Sequence, residues 1–204
     1  MVASMVGDGS LGPVFLSASV PDPRRDPVYA RTAKPARIAE AVSMLAGVVL
    51  PRAELVFGGH PAISPLVLAI ARQLGAVDRV VIYQSEFFRS VVPVDSVAFP
   101  RLTWTAEVVG DRAASLRAMR GEMIGRRAFG AGFFVGGMDG VEEEYAMFRA
   151  LQPNAVAFPV GSTGGAAGVL LDNGEGPSDA GERAALGGDL VYAHMFEKLL
   201  GLVP

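Results

Sequence analysis

A three-layer α/β fold, with a doubly wound and mainly parallel sheet carrying helices on both faces, is the architecture this 204-residue sequence predicts. Short apolar runs alternate with stretches of helical spacing, the pattern of strand–helix–strand units. The run Val80-Val81-Ile82-Tyr83 is continuously apolar, as a parallel strand buried on both faces requires. Several runs also end in glycine or other small residues, and ligands bind such sheets beyond the carboxyl ends of the strands.

The elements follow in order. Residues 14–19 form a short strand ending in Ser17-Ala18-Ser19, and the prolines at 21, 23 and 27 exclude helix and predict an ordered loop. Residues 35–49 have helical spacing through Ile38, Val42, Leu45 and Val49. A strand at 54–57 ends in Gly58-Gly59-His60-Pro61, and residues 64–74 make the next helix. After the strand at 79–83, Phe87, Phe88 and residues 91–100 are expected to be irregular around Pro93 and Pro100, and 102–108 an edge strand. Residues 112–126 form a helix with Leu116, Met119 and Met123 on one face. Phe133-Phe134-Val135 then runs into Gly136-Gly137 and a helix whose first turn is expected to carry Glu142, Glu143 and Glu144. The last strand, 156–160, precedes Gly161-Ser162-Thr163-Gly164-Gly165, and one final helix is expected near 182–200.

One domain over residues 1–204 is expected, with 1–12 flexible, because no repeat or long linker divides the chain. The formal charge of −3 and the lack of a Lys/Arg run argue against nucleic acid as a partner. With no cysteine and only His60 and His194, neither a disulfide nor a Cys- or His-rich metal site is expected, and no cofactor is implied. The first thirteen residues lack a basic start followed by an apolar core, and no apolar stretch reaches the ~18 residues of a membrane span. A soluble cytoplasmic protein that does not engage membranes is the expectation.

Four loops, at 17–19, 58–60, 136–140 and 161–165, converge on one sheet edge and predict a ligand crevice. Glycines at a strand-to-helix junction admit close backbone approach, and unpaired amides at a helix start suit phosphate. The three glutamates favour that helix end but repel phosphate, so they require nearby cations or face a hydroxyl instead. Arg117 and Arg120, three apart on one helix face, can supply such cations, or can simply be solvated. His60 reads either as a backbone-bonding loop residue or as a ligand contact, and Arg24-Arg25 as exposed or phosphate-touching. Ser162 and Thr163 can donate to a ligand or cap the following helix.

The segment Gly136-Gly137-Met138-Asp139-Gly140-Val141-Glu142-Glu143-Glu144 resembles the P-G-G-x-G-T-x-x-E signature of the Lonely guy phosphoribohydrolases. Leu55-Val56-Phe57-Gly58-Gly59-His60 is similar to that family's second-strand glycine loop, and Val14 to Ser19, with Tyr29, to its first strand and loop. The sequence departs from the signature at Val135, where the family has proline, and at Val141, where it has a phosphate-binding threonine. One residue, Met138 or Asp139, is extra. The variant resembles the broader SLOG superfamily, whose members sense nucleotide-derived signals in prokaryotic conflict systems.

The resemblance implies a Rossmann-like domain with a ribose- and phosphate-containing ligand. Glu144 matches the glutamate that acts on ribose, with Glu143 beside it, and Arg120 the catalytic arginine, with Arg117 as runner-up. Gly136, Gly137 and Gly140 would form a phosphate-facing turn with Met138, Asp139 and Val141, while Ser17, Ala18, Ser19, Gly58, Gly59 and His60 line the same crevice. A sensor module in a defence or signalling system is the first expectation, and N-glycosidic hydrolysis of a nucleoside monophosphate the alternative. A homodimer or higher homo-oligomer and a separate effector protein are also implied. The apolar last helix, with Leu190, Val191, Met195, Phe196, Leu199 and Leu200, is expected to form the subunit contact.

Overall fold

A computed structural model of the protein describes residues 11–204. The flexible lead expected over 1–12 falls, as far as residue 10, outside the described residues, whereas Leu11 is buried in the core. Six strands form one parallel sheet: β1 (Val14–Ser19), β2 (Leu55–Phe57), β3 (Val80–Ser85), β4 (Arg101–Thr105), β5 (Ala131–Gly136) and β6 (Val156–Val160). Their order is β4-β3-β2-β1-β5-β6, so the winding direction reverses between β1 and β5. These two strands pair over their whole length, from Val14 opposite Ala131 to Ser19 opposite Gly136.

Strand alternation divides the interior into two cores. Val14 and Leu16 of β1, Leu55 and Phe57 of β2, and Phe133 and Val135 of β5 point to one face. There they meet α2 (Pro35–Val49), α3 (Ser64–Gln73) and α9 (Tyr192–Leu199). Phe15, Val56, Val81 and Phe134 point the other way, onto α5 (Arg112–Gly125) and α6 (Asp139–Leu151). This is the expected three-layer doubly wound arrangement, and it explains why β3 and β5 are buried at every position. The second core is aromatic, with Phe15 stacked on Phe148 at 5.4 Å and Phe134 edge-on to Tyr145 at 4.9 Å.

Several expectations need correction. Pro27 does not exclude helix: it starts α1 (Pro27–Thr32), with Asp26 capping the Val28 amide. Proline suits a first helical position because that amide has no helical partner. The irregular stretch contains a 3-10 turn at Glu86–Val91 and a short helix, α4 (Val94–Val97). After β6, α7 (Gly165–Asp172) and α8 (Ala180–Gly188) precede α9. The single last helix is therefore two, separated where Gly187-Gly188 ends α8 and Asp189 accepts from the Val191 amide. Met195, Phe196, Leu199 and Leu200, expected at a subunit contact, are buried in this chain's own core. Leu190 and Val191 remain exposed. Among the described residues, no helix is long and apolar enough to cross a membrane.

Candidate functional site

A cleft of about 470 Å³ opens beyond the carboxyl ends of β1 and β2, beside the point where the winding reverses. Small-molecule sites typically occupy ~300–1,000 Å³, and this is where doubly wound sheets place them. A second hollow of about 460 Å³ lies between α8 and α9, around His194 and Lys198. None of the loops at the sheet's carboxyl edge reaches it, so the convergent polar chemistry belongs to the first cleft.

One wall of the cleft is the loop after β2. Gly58, Gly59 and His60 all line it. Gln84 fixes the loop by donating through Nε2 to the carbonyls of both Gly58 and Gly59, each at 2.9 Å, and Ser96 donates to Gly59 at 3.2 Å. Gly59 has φ +63°, and an added Cβ would sit 2.5 Å from Gln84 Nε2. His60 Nδ1 accepts from the Ala62 amide at 3.2 Å. Burial, reinforced by the charge of Arg25, lowers the pKa of His60 and favours its neutral form.

The opposite wall comes from α5 and α6. Val141, Tyr145 and Phe148 turn one face of α6 into the aromatic core, which leaves Gly140 and Glu144, four residues apart, beside α5. Arg120 reaches across from α5, donating through Nε to Glu144 at 3.0 Å and through Nη1 to Glu143. The Arg120 and Glu144 side chains are 12% and 14% exposed, so their pair is largely shielded, while Glu143 is mostly in solvent. Arg120 lies against the start of α6, where a Cβ on Gly140 would meet Nη2 at 2.6 Å.

Burial raises the Glu144 pKa and outweighs the opposing pull of Arg120. Ser17 lies near this carboxyl at the end of β1. Its Oγ is near enough to favour the ionised carboxylate, yet among the described residues it has no hydrogen-bond partner. Buried hydroxyls are normally satisfied, which sets this one apart from the rest of the cleft.

The glutamate triplet straddles the first turn instead of filling it. The helix begins at Asp139, leaving Glu142 at the end of the first turn and Glu143 and Glu144 beyond it. Glu143 and Glu144 share Arg120, whereas Glu142 turns elsewhere. The Glu142 carboxylate faces Tyr29, whose hydroxyl pKa is pushed up to about 12 by burial and by that neighbour. Asp139 holds the helix end, accepting from the Gly140 amide at 2.8 Å.

The glycine turn before α6 also differs from a phosphate cradle. The Gly136 amide donates to Thr163 Oγ1 and the Gly137 amide to the Ser19 carbonyl, both at 2.9 Å. The Val141 amide donates to Met138 at 2.9 Å. Gly136 (φ +59°) and Gly137 (φ +84°) are needed for close packing, since a Cβ would lie 2.3 Å from Ile38 and 2.2 Å from Val141 respectively. Neither glycine lines the cleft.

Of the residues marked in the sequence, the structure brings Ser17, Ala18, Ser19, Gly58, Gly59, His60, Arg117, Arg120, Met138, Asp139, Gly140, Val141, Glu143 and Glu144 to the cleft. Gly136 and Gly137 support it from behind. Ser162 and Thr163 lie elsewhere, with Ser162 Oγ sharing a hydrogen bond with the Tyr192 hydroxyl at 3.2 Å. Thr163 accepts from Gly136 and donates to the Val160 carbonyl at 2.6 Å. Sequence reasoning missed Gln84 and Arg112. A glutamine closing the apolar strand β3 was the signal for the first, and Arg112, at the start of α5, carried none.

Fold and cleft together define a doubly wound α/β protein with an open cleft at its switch point. The chain belongs to the SLOG cluster3 family, whose model matches residues 28–200. That match begins after β1, so Ser17 lies before the matched segment. A comparison with curated proteins returned no match.

Proposed function

We propose that this SLOG module binds a nucleotide-derived small molecule and serves as a ligand sensor. The observation that carries the reading is the unmatched Ser17 hydroxyl beside the shielded Arg120–Glu144 pair, in a cleft of nucleotide-compatible size. A ribose hydroxyl suits this group, because it can donate to Glu144 while accepting from Ser17. The apolar side chains of Phe88, Leu116 and Met119 at the same cleft offer contacts for a base. A role in prokaryotic defence or signalling, with a separate effector, rests on the SLOG relationship alone.

Calorimetry and thermal-shift measurements against nucleosides, nucleoside mono- and diphosphates, NAD, ADP-ribose and cyclic nucleotides test this reading. Binding to the folded state raises the melting temperature, with a stabilisation that grows as the logarithm of one plus the ratio of free ligand concentration to Kd. No stabilisation by any of them at about 1 mM, a concentration at which even a Kd of 1 mM is detectable, overturns it.

One observation favours a hydrolytic alternative. Glu144 is a buried carboxyl with a raised pKa, the condition that prepares an acid for proton transfer, and Glu143 shares its arginine. In that reading one carboxylate stabilises the developing oxocarbenium ion during N-glycosidic cleavage. Release of free base from nucleoside monophosphates, abolished in Glu144→Gln, is the expected outcome. Turnover that persists in Glu144→Gln removes Glu144 from the chemistry.

A further inference from the structure

The two places where a phosphate would conventionally bind are closed by the chain itself. Gly136, Gly137 and Val141 have spent their amides within the fold, and Asp139 accepts from Gly140 at the start of α6. A phosphate at this helix end would have to displace a carboxylate already held there. Arg120, the cation nearest that end, is bound to Glu143 and Glu144. Conventional capture by the glycine turn is therefore blocked in this conformation.

Three other arginines face the same cleft. Arg25 comes from the loop between β1 and α1, and Arg112 and Arg117 from the first half of α5. All three are exposed, and none forms a salt bridge among the described residues. Arg112 lies over the Phe88 ring at 5.7 Å, which gives its guanidinium a defined direction at the rim. Arg25, in the loop after β1, acts electrostatically on His60. Over the whole cleft, Arg25, Arg112, Arg117 and Arg120 stand against Asp139, Glu143 and Glu144, and since both glutamates pair with Arg120, the surplus positive charge lies with the three rim arginines.

We propose that Arg25, Arg112 and Arg117 form the phosphate-recognition site, at the rim of the cleft rather than at its glycine turn. The ligand it takes is a phosphorylated nucleotide derivative whose phosphate end meets these three guanidinium groups. Guanidinium groups suit it because they bind phosphate oxygens in pairs. Binding at an exposed rim is screened by salt, so affinity should weaken as ionic strength rises. The ribose then points inward to Ser17 and Glu144. The nucleotide part of this inference rests on the function proposed above; the anion site does not.

The test compares adenosine, AMP, ADP and inorganic pyrophosphate on the wild type, the Arg25→Gln/Arg112→Gln/Arg117→Gln variant and Asp139→Asn. The exposed arginines leave the ligand-free melting temperature unchanged. In the wild type, AMP and ADP bind at least about tenfold more tightly than adenosine at low salt, and pyrophosphate raises the melting temperature. In the triple variant the phosphorylated ligands fall to the level of adenosine and the pyrophosphate effect disappears. Undiminished AMP and ADP binding in the triple variant overturns the rim site. So does a tenfold gain for AMP in Asp139→Asn that survives with the three arginines removed, because it places the phosphate on α6. If pyrophosphate binds through the arginines but no nucleoside or nucleotide does, the anion site stands and the nucleotide reading fails. Equal binding of adenosine, AMP and ADP by the wild type keeps a nucleoside cleft and rejects the rim.

Discussion

The glycine loops after β2 and β5 look alike in sequence but do opposite work. At Gly58-Gly59 the backbone faces the cleft and other side chains hold it there, with Gln84 and Ser96 gripping its carbonyls. At Gly136-Gly137 the backbone faces inward, its amides bound to Thr163 and Ser19 and its missing side chains replaced by Ile38 and Val141. Gly58 thus stands open at the cleft, whereas Gly136 and Gly137 serve dense packing behind it. Only the hydrogen-bond partners distinguish the two uses.

Substitution at these loops should separate stability from binding. The largest effect is expected at Gly137→Ala, where a positive φ and a 2.2 Å approach to Val141 coincide. Left-handed strain and overpacking together should cost roughly 2–4 kcal/mol in urea unfolding. Gly58→Ala meets only ordinary contacts, the nearest Met119 Cε at 3.7 Å, and should unfold within about 0.5 kcal/mol of wild type. Equal losses in the two variants would erase the contrast.

Two hydroxyls sharpen the same comparison. Thr163→Val leaves the buried Gly136 amide without an acceptor and should cost about 2 kcal/mol, with ligand affinity of the folded protein unchanged. Ser17→Ala removes a hydroxyl that has no partner, so stability should stay within about 0.5 kcal/mol. Its nucleotide affinity should drop about tenfold, as read by calorimetry. A Ser17→Ala variant that binds normally would make the unmatched hydroxyl irrelevant to the ligand.

The ionisable groups give smaller, pH-dependent effects. Because burial raises the Glu144 pKa, its protonation favours the folded state. Its favourable contribution is complete below the unfolded-state pKa and is lost as pH rises through the folded one. Wild type should therefore lose stability relative to Glu144→Gln as pH is raised from about 4 to 8 across the carboxyl range. His60 has the opposite sign. Its lowered pKa stabilises the fold above the ordinary histidine value, and that contribution is lost as pH falls through the folded-state pKa. His60→Asn, which keeps an acceptor for the Ala62 amide, should remove this mild acid-side loss. Chemical denaturation at several pH values checks both.

Local periodicity made much of the fold legible. The spacing of Ile38, Val42, Leu45 and Val49 defines α2, and the apolar run at 80–83 lies within β3. Pro27 was ambiguous because proline both breaks a helix and favours its first position. The gathering of loops at one sheet edge was also legible, since topology alone places strand ends together. What each loop does there was not. The bond from Gly136 to Thr163 spans 27 residues, and the grip of Gln84 on Gly59 spans 25. The triplet at 142–144 shows the same limit: the sequence reveals three acids, but only packing assigns one to Tyr29 and two to Arg120.

Gly140 bears on how the arginine keeps its seat. A helical glycine usually weakens its helix by ~1 kcal/mol, yet here a methyl would press on the Arg120 guanidinium. A side chain at 140 would push that flexible cation aside and loosen its hold on Glu143 and Glu144. The bare backbone at 140 is thus the berth in which the cation lies.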